Sequence, residues 1–124
     1  MLIYRLQRTC LASFLGAIGL QVYVMGLAIF GVTSFMPHAM LGYGMIVGAI
    51  ILTVLTVTAK LPRRAQVMAG VILVLTVLQP VLVLALRGRA PALAALHPLN
   101  ALVIFALATV VMRSTRPERQ LSAT

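Results

Sequence analysis

Two histidines, His38 and His97, are the candidate functional residues of this sequence. Each stands at the head of a long apolar run, "HAMLGYGMIVGAI" and "HPLNALVIFALATVV". Ionisable side chains inside membrane-spanning segments usually face the bundle interior and mark a function. Two imidazoles presented from opposite sides to one point suit the axial ligation of a planar haem iron. Because both histidines lie near a membrane boundary, where water can satisfy an imidazole, a purely structural role is the alternative.

The composition is that of an integral membrane protein. Of 124 residues, 62% are hydrophobic and 9% are charged, far from the balance of soluble domains. Ten Lys and Arg stand against one acid, Glu118. They lie between apolar runs and at the chain ends without interleaved aromatic residues, which favours lipid headgroups over nucleic acid as the counter-charge. The single cysteine, Cys10, excludes an intrachain disulfide and a CxxC motif.

Four apolar stretches are long enough to cross a bilayer, for which about 20 residues suffice. They run from about Leu11 to Phe35, from Pro37 or His38 to Ala59, from Ala65 to Leu86 and from Ala92 to Met112, before a polar tail over 114–124. The first stretch is too long for a signal peptide and should be retained. We predict an all-α fold, a four-helix bundle in the membrane.

The basic residues predict the orientation of the four spans. Eight of the ten fall on one side of the membrane and only Arg87 and Arg89 on the other. The positive-inside rule then places both termini in the cytoplasm, in a bacterial inner membrane. Both histidines are expected near the outer face.

The chain repeats itself with a period of about 58 residues. The segment "LQVYVMGLAIFGVTSFMPHAMLGYG" aligns with "LQPVLVLALRGRAPALAALHPLNAL", so repeat 1 covers about 11–61 and repeat 2 about 65–113. Two tandem hairpins with equal orientation should be related by a pseudo-twofold axis along the membrane normal. This symmetry predicts His38 and His97 at one depth on facing helices.

Further residues complete the predicted site. Gly42 and Ala101, each four positions after a histidine, leave room for a flat apolar guest. Arg87 and Arg89 are the cations expected at the outer edge, where haem propionates would need them, although arginines that end a helix also suit headgroups.

Two glutamines lie inside the spans at equivalent positions of the repeat. Gln21 and Gln79 are expected to form interhelical hydrogen bonds through their amides. A supporting role, in which an amide holds the opposite imidazole, is an alternative.

Two other interpretations of the sequence remain open. Met36, His38 and Met40 combine thioethers with an imidazole and could bind Cu(I), although on a regular helix both methionines would point away from the histidine. Alternatively, the chain is a cofactor-free accessory subunit that packs through glycines such as Gly44 and Gly48. No catalytic constellation is apparent, so an electron carrier or binding protein is favoured over an enzyme.

The quoted segments resemble a family of small four-span bacterial proteins known only as a domain of unknown function. The Leu-Gln…His pattern also resembles one four-helix half of haem A synthase. That resemblance implies that His38 and His97 are axial ligands. It implies haem binding without haem oxidation, because the chain lacks the eight spans and the acidic catalytic residues.

The leading expectation is a membrane b-type haem protein. It would transfer electrons between membrane quinol and an outer partner, or handle haem at the same site. A haem at one face cannot conduct across the bilayer alone, so a redox partner or a homo-oligomer is implied.

Overall fold

The computed structural model describes residues 1–115, and these form an all-helical bundle. The helices are α1 Leu2–Ile29, α2 Met36–Thr58, α3 Arg63–Leu86, the single-turn α4 Pro91–Ala94, and α5 Leu96–Ser114. Four segments are long and apolar enough to cross a membrane, the fourth being Pro91–Ser114. The predicted all-α, four-span architecture is confirmed. Arg116, Glu118 and Arg119, on which the charge arguments partly relied, lie outside the described residues.

The bounds of α1 differ most from the prediction. It begins at Leu2 and ends at Ile29, whereas the apolar stretch suggested about 11 to 35. It starts early because Arg8, although charged, donates hydrogen bonds to the carbonyl oxygens of Met112 and Thr115, at 3.3 and 3.0 Å. It ends early because Gly31 adopts a left-handed conformation, with φ of 74°, that terminates the helix.

The other helices begin and end close to the predicted positions, with one exception. The fourth span is broken at its start, where Pro91–Ala94 forms a separate turn before α5 begins at Leu96. Proline is well suited to the first turn of a helix, so Pro91 starts α4 and Pro98 fits within the first turn of α5.

The four long helices form a ring in the order α1, α2, α3, α5, each packed against its two neighbours. Within residues 1–115, neither diagonal pair, α1 with α3 or α2 with α5, makes a comparable contact. The two histidine-bearing helices therefore face each other across the bundle.

The core side chains occupy equivalent positions in the two hairpins. Most buried positions on α1 recur as buried positions on α3 after 58 residues, and those on α2 recur on α5 or at the residue that follows it after 59. The pairs are Gln7 and Ala65, Leu11 and Ala69, Phe14 and Ile72, Ile18 and Thr76, Ala49 and Ala108, Leu52 and Val111, Thr56 and Thr115. The two hairpins thus present the same faces to the interior.

The bundle has two distinguishable ends. At one, the terminal end, the Arg8 guanidinium and the Tyr4 hydroxyl donate to the carbonyl of Thr115, which joins the start of α1 to the end of α5. His38 and His97 lie at the opposite end, called here the histidine end, in the first turns of α2 and α5.

Candidate functional site

The structure brings the two histidines together. The imidazole ring centres of His38 and His97 are 6.0 Å apart, and the ring planes are inclined by 62°. His38 is the third residue of α2 and His97 the second residue of α5. Both are half-buried. Two diagonal helices thus converge on one point through equivalent residues.

Each imidazole is held by the neighbouring helix of its own hairpin. The Nδ1–H of His38 donates to the main-chain carbonyl of Gln21 at 3.2 Å. The Nδ1–H of His97 donates to the main-chain carbonyl of Gln79 at 3.1 Å. Because a carbonyl only accepts, these bonds fix the proton on Nδ1 and leave the Nε2 lone pair of each ring for a ligand.

The separation of the rings fits a shared metal. With a metal–nitrogen distance of about 2 Å on each side, two imidazoles on opposite sides of one ion have ring centres roughly 6 Å apart. Among residues 1–115, no group of three His, Cys, Asp or Glu side chains could hold a metal ion. Two imidazoles are too few for a typical protein zinc site, but they suffice for a haem iron, whose macrocycle supplies the other ligands.

A large apolar cavity of about 1170 Å³ surrounds the histidines. All four long helices line it, and most lining positions are again related by 58 or 59 residues; the exceptions are Gly19, Phe35 and Phe105. A cavity of this volume slightly exceeds the range of about 300 to 1,000 Å³ that is typical of ligand and cofactor sites. Its lining residues repeat with the same spacing as the histidines.

Gly42 and Ala101, which the sequence predicted beside the cofactor, both line the cavity. A Cβ atom on Gly42 would lie 3.0 Å from Nε2 of Gln21, so the absent side chain leaves the space into which that amide fits. Ala101 presents only a methyl group at the equivalent position.

The hydrogen bonds of Gln21 and Gln79 differ from those that the sequence predicted. Their amides were expected to form interhelical hydrogen bonds, yet the buried Oε1 atoms of Gln21 and Gln79 have no hydrogen-bond partner within the described chain. The main-chain carbonyls of these residues form the bonds instead, and each holds the imidazole of its own hairpin rather than the opposite one.

The two outer arginines are placed differently. Arg87, the first residue after α3, lines the cavity with its side chain exposed. Arg89 is exposed and does not line it. The methionines of the copper interpretation, Met36 and Met40, are 65% and 64% exposed and also lie away from the cavity.

Asn100 is a part of the site to which the sequence assigned no role. Its Nδ2 donates to the main-chain carbonyl of Leu75 at 2.9 Å, which joins α5 to α3 one turn from the bond made by His97. The available signal was an amide in an apolar helix, three residues after the histidine.

One family matches the chain, over residues 21–86, and is described as a family of unknown function (DUF6220). The matched segment includes Gln21, His38, Gly42 and Gln79 and stops before His97. No curated protein and no solved structure matches.

Proposed function

The chain belongs to the DUF6220 family of unknown function, and from the geometry of its own residues we propose that it is a membrane protein that binds one b-type haem between His38 and His97. The observation that carries the proposal is the duplicated histidine arrangement. Two imidazoles lie 6.0 Å apart across the bundle, and each is oriented by a main-chain carbonyl.

This arrangement has the features of a prepared ligand pair. Metal-binding histidines almost always donate their second ring N–H to a carbonyl, a carboxylate or water, which fixes the tautomer and the ring orientation. A single histidine with a purely structural role would need only one such hydrogen bond from its ring. Here both rings have one, from equivalent residues of the two hairpins. A shared ligand between the rings explains this duplication.

The surroundings suit an apolar macrocycle with an anionic edge. The cavity is lined mainly by apolar side chains, and Ala101, one turn after His97, contributes only a methyl group. Arg87 at the cavity margin is placed to pair with a haem propionate. A bound haem supplies one-electron exchange at its iron. The resemblance to one half of haem A synthase agrees with this proposal and stays an expectation from the sequence.

The positive-inside rule places the terminal end in the cytoplasm of a bacterial inner membrane and the histidine end at the outer face. Between the two ends, the bundle is closed by fully buried aliphatic side chains, among them Leu11, Leu52 and Ile72. Electrons would therefore enter and leave on the outer side. A quinol with an outer redox partner, or a second copy of the chain, completes the transfer; haem handling would use the same site.

A different observation favours a second candidate, a cofactor-free accessory subunit. A Cβ atom on Gly16 or Gly44 would have nothing within 4 Å. These glycines are not needed for packing within residues 1–115, and in a membrane such positions allow another helix to approach closely.

Absorption spectroscopy separates the two candidates. The protein is expressed with haem supplied, purified, and measured oxidised and then reduced. We expect sharp bands that shift on reduction, and we expect His38→Ala and His97→Ala each to lose the six-coordinate spectrum. Met36→Ala, beside His38 but exposed, is the control and should leave the spectrum unchanged.

Two results contradict the proposal in different ways. Absence of bands after haem-replete expression favours the accessory subunit. A histidine variant that keeps a six-coordinate haem at full occupancy shows that the two residues are not the ligand pair.

A further inference from the structure

At the histidine end, the helix that carries His97 is held to its neighbour by more side-chain hydrogen bonds than the helix that carries His38. Resting on the haem site proposed above, we infer that His97 is the permanent axial ligand and His38 the exchangeable one. The His38 side would then accept a small neutral exogenous ligand, of which carbon monoxide is the probe.

The first observation is the bond made by Asn100. Together with His97 it ties α5 to two carbonyls of α3, those of Leu75 and Gln79, which lie one helical turn apart. The residue equivalent to Asn100 in the first hairpin is Leu41, whose side chain cannot donate a hydrogen bond. His38 is therefore tied to α1 by a single side-chain bond, to the carbonyl of Gln21.

The second observation is the distribution of glycine. The first four turns of α2 contain Gly42, Gly44 and Gly48. The equivalent residues of α5 are Ala101, Val103 and Leu107. Glycine is a poorer helix former than any of these three because it loses more backbone entropy on folding. The part of α2 that bears His38 should therefore open locally more often than the start of α5.

The cavity extends along this part of α2, as it does along the start of α5, where Pro98 and Leu102 are the equivalent lining residues. Phe35, Ala39 and Tyr43 line it around His38, so the imidazole has space beside it when the first turn opens. The exchange would be a ligand substitution without redox change: His38 would give up its place on the iron through Nε2, and carbon monoxide would take that place.

The histidine variants test this inference. We expect His38→Ala to retain haem in a five-coordinate form that binds carbon monoxide without delay, because His97 remains braced. Both variants are passed through gel filtration under the same conditions. We expect His97→Ala to lose most of its haem in this step. If the unaltered protein binds no haem, the proposed function has failed. If it binds six-coordinate haem and the variants retain haem equally or in the reverse order, only the present inference has failed.

A second measurement keeps both histidines and so does not depend on the stability of those variants. Asn100→Leu gives the second hairpin the leucine that the first hairpin has at the equivalent position, Leu41. Leu41→Asn gives the first hairpin the asparagine of the second. We expect Leu41→Asn to slow carbon monoxide binding to the reduced protein by roughly fivefold, the factor expected for one added hydrogen bond on the His38 side, and Asn100→Leu to speed it by at most about twofold, because it only adds a second route through His97. Unchanged rates in both would overturn the inference.

Discussion

At the scale of single residues, the candidate site consists of two imidazoles whose centres are 6.0 Å apart, each oriented by a carbonyl of its own hairpin. His38 and His97 could be paired because an imidazole in an apolar run is rare and the repeat places both at one depth. The groups that orient them are main-chain carbonyls, which every residue carries and which therefore leave no signal in the sequence. For the same reason, the sequence predicts hydrogen bonds from the side-chain amides of Gln21 and Gln79, whereas it is their main-chain carbonyls that accept hydrogen bonds from the histidines.

The cation at the cavity margin gives a residue-scale prediction. Arg87→Gln should raise the dissociation constant for haem by about two- to fivefold, the effect of an exposed ion pair. Arg89→Gln is the matched control, because Arg89 lies two residues away and does not line the cavity. Titration of haem into the haem-free protein measures both. Equal losses in the two variants would show that general positive charge, rather than Arg87, is responsible.

Gln7 gives a second prediction at this scale. It is fully buried, and neither its Oε1 nor its Nε2 has a hydrogen-bond partner in the described residues. Leaving a buried polar group unpaired costs about 1 to 3 kcal/mol, so Gln7→Leu should raise the free energy of unfolding by about that amount. Denaturation of the detergent-purified protein measures it.

A matched glutamine provides the control for Gln7. The Nε2 of Gln66 donates to the carbonyl of Leu61 at 2.7 Å, so Gln66→Leu should lower stability where Gln7→Leu raises it. A Gln7→Leu variant less stable than the unaltered protein would mean that Gln7 has a bonding partner, such as an internal water.

At the scale of helices, hydropathy determined the number of spans but not their ends. The apolar stretches predicted α2 and α3 to within two residues at each end. They misplaced α1 because a helix may continue through charged residues that find partners on another helix, as Arg8 does on α5. The separate turn α4 was missed because its sequence, "PALA", has the same apolar character as the span that follows.

The contact between α1 and α5 gives the prediction at this scale. The Arg8 guanidinium donates to two carbonyls at the end of α5, and hydrogen bonds of charged groups contribute about 1.5 to 3 kcal/mol. We therefore expect Arg8→Ala to lower the unfolding free energy by about this amount. Arg5→Ala removes the same charge from an exposed position of the same helix and should change stability by less than about 0.5 kcal/mol. Thermal denaturation in detergent compares them, and equal effects would exclude a specific role for the Arg8 bonds.

At the scale of the whole molecule, the same sequence offsets between the two hairpins determine both the packing of the core and the position of the candidate site. The offsets of 58 and 59 residues that relate the core pairs also relate the glutamines and the histidines. A site on the axis between two similar hairpins receives one ligand from each. Two residues depart from this symmetry: Asn100, whose equivalent is Leu41, and Arg87, whose equivalent is Ile29. Asn100 would hold the His97 side of the site more firmly, and Arg87 would give the site a charged edge.

The placement of the site in the membrane is the prediction at this scale. If the positive-inside rule holds, the loop between α3 and α4 faces outward and the loop between α2 and α3 faces the cytoplasm. In a Cys10→Ala background, the Gly88→Cys variant should react with a membrane-impermeant thiol reagent in intact cells, because this position is exposed and unobstructed. The Lys60→Cys variant, also altered at an exposed position, should react only after permeabilisation. The reverse pattern would place the histidines at the cytoplasmic face, where an outer redox partner could not reach them, while leaving the haem site itself intact.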